Sequence, residues 1–156
     1  MVSAAEWAVV ERLSGLPFPV AEVRPGPGGA EWGGPGYWVV ALRESRDFWE
    51  DRGAEVVEPA EQEIEAARDA LAAVLTSRWG APRQVELAPY MFPEDPEEDV
   101  PEPLGYLAMV AVRLLCWPLP GAARWVGLAV GQADREFPFE LLLAVGELSV
   151  LDGAAG

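Results

Sequence analysis

Apolar and polar positions divide this chain into blocks that read as structural elements. Between Pro59 and Trp79 the apolar residues Ile64, Ala67, Leu71, Val74 and Leu75 recur every three or four positions, the repeat of a helix with one buried stripe. Proline suits its first position, and Glu61, Glu63 and Glu65 favour the positive end of the helix dipole. Gly80 and Pro82 stop it. A shorter helix opens the chain. There Ser3-Ala4-Ala5-Glu6 matches a capping box, Trp7, Val10 and Leu13 recur at helical spacing, and Gly15 with Pro17 ends the element. Phe18 to Arg24 and Tyr37 to Arg43 read as two strands of a hairpin, with the Gly-Pro stretch 25–36 as its long tip. Ser45 is placed to cap a short turn of helix over Arg46 to Arg52, which sets Phe48 and Trp49 near a core or an interface.

Further along, Gln84 to Tyr90 reads as a strand, and an acidic, proline-rich loop runs from Phe92 to Pro103. Gly105 to Trp117 is apolar on both faces apart from Arg113, as a central strand would be. A buried helix carries the same signature, and periodicity does not separate the two. Pro118 to Ala122 is a turn, after which Arg124 to Gln132 and Phe137 to Glu147 form a closing hairpin, although Pro138 could open a helix instead. Strand pairs flanking a long helix define an α+β class. The expectation is a single domain over residues 1–152. It is a mostly antiparallel sheet of about five or six strands with one long and one or two shorter helices packed on one face. A frayed tail follows at 153–156.

Composition agrees with one domain and narrows the chemistry. The 156 residues are 51% apolar, enough for a core without disulfides. Among them are no His, no Lys and no Asn, and Ile occurs once, at Ile64. Joint loss of residues with AT-rich codons points to a GC-rich, bacterial genome. Without His there is no Ser-His or Cys-His nucleophile pair, and without Lys there is no Schiff base and no P-loop lysine. The acidic loop lacks the carboxylate spacing and internal Gly of a calcium loop. With 26 acids in the chain, some carboxylate pair always lies at a glycosidase-like spacing, so acid count is no signal of catalysis. The expectation is a protein that is not an enzyme and uses no cofactor or metal. The one cysteine, Cys116, sits in an apolar run and reads as a small buried hydrophobe, as a reducing compartment allows. The longest apolar run, Leu104 to Val112, has nine residues, and the N-terminus lacks a basic leader; a soluble, cytoplasmic protein is expected.

Charge suggests a partner. The net charge is −15, and residues 44–102 hold 17 acids against 5 Arg. A negative face disfavours nucleic acid and anionic membrane, whose phosphates need basic surfaces, and favours a basic protein. The candidate acidic contacts are Asp47, Glu50 and Asp51 after the second strand, and Glu94, Asp95, Glu97, Glu98 and Asp99 in the acidic loop. Trp32, on the Gly-Pro loop, and Trp49 are the candidate aromatic anchors. A helix ending Arg78-Trp79-Gly80-Ala81-Pro82 before a strand, in a small acidic α+β chain, is similar at class level to cognate immunity proteins of bacterial toxins. That five-residue match also has a plain structural cause, a helix C-cap. The resulting expectation is a protein-binding module that inhibits or escorts a basic partner. The alternatives are an accessory subunit of a larger assembly and a small-molecule-binding domain.

Overall fold

The computed structural model describes residues 2–25 and 30–154, with side chains through Leu151. Six strands among these residues form one sheet: β1 (Trp32–Gly34), β2 (Tyr37–Glu44), β3 (Arg83–Glu86), β4 (Arg113–Pro118), β5 (Arg124–Gly131) and β6 (Glu140–Glu147). Their order is β1-β2-β6-β5-β4-β3, and every neighbouring pair is antiparallel. Among the described residues five helices complete the α+β domain: α1 (Ala4–Gly15), α2 (Ala54–Trp79), α3 (Ala88–Met91), α4 (Leu104–Val110) and α5 (Leu148–Ala154). Among the described residues no helix is long and apolar enough to cross a membrane.

The expected long helix is present, and its stripe is the one the spacing implies. Ala60, Ile64, Ala67, Leu71 and Leu75 are buried against the sheet. Burying each large aliphatic among them stabilises the fold by about 1.5–3 kcal/mol. The helix begins five residues earlier than Pro59, on Gly53, whose carbonyl accepts from the amides of Val56 and Val57. Pro59 therefore lies within the second turn. It removes the amide that the Glu55 carbonyl would take, and both residues are exposed, so water can satisfy that carbonyl. At the far end Gly80 adopts φ +89°, a left-handed conformation that suits glycine, and its amide donates to the Thr76 carbonyl.

The shorter α1 lies on the same sheet face as α2. Its capping box is complete: Ser3 Oγ accepts from the Glu6 amide at 3.1 Å, and Glu6 Oε1 accepts from the Ser3 amide at 3.0 Å. Together α1 and α2 cover Trp38, Val40, Trp117, Val126, Leu128, Leu141, Leu143 and Val145. The alternate residues of the same strands, Val39, Leu114, Cys116, Trp125, Ala129, Leu142 and Ala144, face the other way, under α3, α4 and α5. With helices on both faces, the central strands are buried throughout. That is why β5 and β6 read as unbroken apolar runs rather than as alternation.

Several local expectations give way to tertiary context. Phe18 to Arg24 is not a strand; only Val23 bridges to Gly33. Pro17, Pro19 and Pro25 offer no amide to a ladder, so pairing is confined to one residue. The hairpin instead joins β1 to β2 through Pro35-Gly36, with Gly36 at φ +88° as a tight two-residue turn requires. Residues 26–29 of the expected long tip lie outside the described residues. Arg46 to Arg52 forms no helix, because the Ser45 hydroxyl is taken by the Phe139 amide at 2.9 Å. The strand expected over Gln84 to Tyr90 stops at Glu86, and Pro89 falls in the first turn of α3. Gly105 to Trp117 divides in two. Its first half is helix α4, with Leu104 and Leu107 packed on the sheet, and its second half is β4. At the C-terminus α5 runs to Ala154, and residues 155–156 lie outside the described residues.

Candidate functional site

The segment between β2 and α2 is held extended along residues 136–139. The amides of Ser45 and Phe48 donate to the carbonyls of Phe139 and Glu136 at 2.8 and 2.9 Å. Extended backbone sends successive side chains to opposite sides. Phe48 is accordingly fully buried, edge-on to Phe139 with ring centres 5.7 Å apart. Trp49, the next residue, stands 60% exposed. Its ring meets Phe137 edge-on at 5.4 Å, and Phe137 is itself 42% exposed. Arg52 pairs with Glu136 at 2.9 Å and ties the two segments together. Asp47, Glu50 and Asp51 are exposed on the same segment, as are Arg46 and Arg52. Three of the acidic contacts named from sequence and one anchor thus share one exposed segment, and the structure sets Phe137 against it.

The other five acids occupy the connection between α3 and α4. Asp95 shapes it: its carboxylate accepts from the Glu97 amide and its carbonyl from the Glu98 amide, both at 3.0 Å. Glu94, Asp95, Glu97, Glu98 and Asp99 are exposed, and among the described residues no ion pair engages them. This loop joins helices on the second sheet face, whereas the segment 45–53 leads into α2 on the first. The acidic residues therefore form two surfaces.

Trp32 belongs to neither as an exposed anchor. It lies in β1, half-buried, with its ring edge-on to Tyr106 of α4 at 5.4 Å. A Trp in a Gly- and Pro-rich stretch reads as loop, and the pairing of Trp32, Gly33 and Gly34 with β2 draws it over the sheet. Val20, Val23, Met91, Phe92, Met109, Val112 and Phe137 are exposed apolar side chains that the sequence did not single out. Met109 and Val112 fall in the run read as a central strand or a buried helix; α4 turns Met109 outward, and Val112 lies in the bend between α4 and β4.

Electrostatics single out two other places. Glu44 and Glu140 face each other across the β2–β6 ladder, and burial, then the neighbouring Glu44 carboxylate, pushes the Glu140 carboxyl up. Cys116 is fully buried, and desolvation pushes its thiol up to about 12, as the sequence reading of an inert apolar cysteine implies. Among the described residues no group of three or more Cys, Asp or Glu side chains is arranged to hold a metal ion. These features define an α+β domain whose antiparallel sheet is covered on both faces and which carries two acidic surfaces, each beside exposed apolar side chains. Comparison of the chain with protein-family models, curated proteins and solved structures finds no match.

Proposed function

We propose that this chain is a non-enzymatic protein-binding module that engages a basic partner protein through its acidic surface and inhibits or escorts it. A toxin-immunity protein is the sharpest form of that reading. The observation that carries it is the Trp49–Phe137 pair, held in solvent among Asp47, Glu50 and Asp51. A rigid aromatic anchor inside a charged rim is the arrangement of an interface hot spot. Rim carboxylates steer a cationic partner in, and the indole then fills a pocket on it. Inhibition would follow from covering the partner's basic surface.

The test begins with capture from lysate of the native host, washed at low and then high salt. The expected result is one stoichiometric basic protein released by salt. Charge reversal at Asp47, Glu50 and Asp51, and separately across Glu94 to Asp99, should slow its association by about tenfold and flatten the salt dependence. Unchanged association rates in both variants would overturn the proposal. The exposed Met91, Phe92, Met109 and Val112 favour a second reading, an accessory subunit of an assembly, for which the captured partner survives high salt.

A further inference from the structure

The short helices α3 and α4 cover the second sheet face with only part of their apolar surface. Leu87, Leu104 and Leu107 are fully buried. Met91, Phe92 and Met109, by contrast, stand 46%, 76% and 67% exposed. An open groove of about 470 Å3 runs between the helices over Tyr90, Val100, Tyr106 and Met109. Tyr90 and Val100 also wall a second depression of about 310 Å3, which passes by Phe92 and under Glu94, Glu98 and Asp99. The two make one trough with an apolar floor and a carboxylate rim.

Exposed apolar surface of this kind marks an interaction site more often than a scattered exposed side chain does. The two methionines add adaptability, because an unbranched, polarisable thioether fits irregular apolar partners. Charge decides which partner. Residues 87–112 hold six carboxylates, Glu94, Asp95, Glu97, Glu98, Asp99 and Glu102, and no Arg. An apolar segment bearing acids would meet like charge on entering, and a neutral one would leave the rim uncompensated. A cationic segment answers both features at once, since Arg and Lys stems lie along apolar surface while their heads reach a rim.

We infer that the α3–α4 trough is the docking site for a cationic amphipathic segment of a partner protein. Its apolar face would rest on Met91, Phe92, Tyr106 and Met109, and its Arg or Lys heads would meet Glu94 to Asp99. The inference rests on the reading of this chain as a binder of basic proteins, and it adds a docking surface on the second sheet face to the one around Trp49.

The test uses the full chain labelled at its methionine methyl groups, because Met91 and Met109 both flank the trough and report on it directly by NMR. The probe is a synthetic amphipathic helix of about 18 residues with Leu on one face and Arg on the other. The controls are the same peptide with Glu in place of Arg, and a scrambled peptide of the same composition. The expected result is that the Arg peptide shifts both methyl signals and binds at least about tenfold more weakly when salt rises from about 50 to 500 mM. Met109→Ser, at an exposed position, and the neutral loop variant E94Q/D95N/E97Q/E98Q/D99N should each weaken binding about tenfold, and Glu58→Gln, at an exposed position of α2 on the opposite sheet face, should leave it unchanged. Absent methyl shifts, or equal binding of the scrambled or Glu peptide, would overturn the inference. Loss of peptide binding in Trp49→Ala but not in Met109→Ser would also overturn it while leaving the binding-module reading standing. That reading fails separately, on the association rates of the captured partner.

Discussion

Glu6 closes the cap of α1 and also reaches across to the sheet, so one carboxylate serves a local and a tertiary contact. Arg43 Nε and Nη2 donate to its Oε2 and Oε1 at 2.9 and 2.7 Å, a forked pair. The contact is possible because a bulge between Ala41 and Arg43 shifts the β2–β6 register and re-aims Arg43 toward α1. Hydrogen bonding to Arg43, opposed by burial and helped by Ser3, lowers the Glu6 carboxyl from an ordinary 4.5 to about 2. At 1.36 kcal/mol per pH unit, a drop of that size is worth at most about 3 kcal/mol. The Arg43 side chain is 35% exposed, so solvent screening brings the expectation down to about 1–2 kcal/mol. The folded pKa is depressed, so this stability is fully present above pH 4.5 and is lost as pH falls toward about 2. Glu6→Gln keeps the size and one acceptor oxygen but removes the charge. Urea unfolding of both proteins at constant ionic strength should show the variant less stable by about 1–2 kcal/mol at pH 7, with the gap closing between pH 4.5 and about 2. Comparing the two proteins cancels the other carboxylates, which titrate in both. A gap that does not change with pH, or no gap at neutral pH, would refute the assignment. Arg43→Gln should give the same pH-dependent loss, and the double variant should cost less than the sum of the two.

Two further outcomes follow from the packing. At Gly146 an added methyl would lie 2.5 Å from Trp125 Cζ2 and 2.6 Å from Cε2, well inside contact distance of a fully buried indole. Gly146→Ala should therefore cost about 1–3 kcal/mol by urea unfolding and shift the tryptophan emission. Gly15→Ala, with open space around the added carbon, should hold or raise stability; equal behaviour of the two variants would contradict the packing. Cys116, buried and with its thiol pushed up to about 12, should react with a thiol reagent at neutral pH only as fast as the fold opens. Rapid labelling of the native protein would show a cysteine that is neither buried nor inert.

What the chain determines by itself is carried by interactions within about one helical turn or one strand alternation. The Ser3–Glu6 cap, the Ile64 to Leu75 stripe and the Gly80 stop are all of that kind, and each stands in the structure, as does the closing hairpin of two sequence-adjacent strands. The fold class followed from them. What a segment packs against is a different matter, because the same apolar run suits a buried strand or an outward-turning helix. Residues 104–117 became half of each once Leu104 and Leu107 had a sheet face to cover, and Met109 was left in solvent. The candidate site divides along the same line. The acids were legible as a charge run, and Trp49 as an apolar residue beside them. Trp32 was drawn inward by strand pairing, and Phe137 and the α3–α4 trough exist only where residues far apart in sequence meet. Caps and periods are local energies written in neighbouring residues. Exposure, charge pairing and the shape of a surface depend on what the chain brings opposite, and that is settled only when the sheet closes between its two layers of helices.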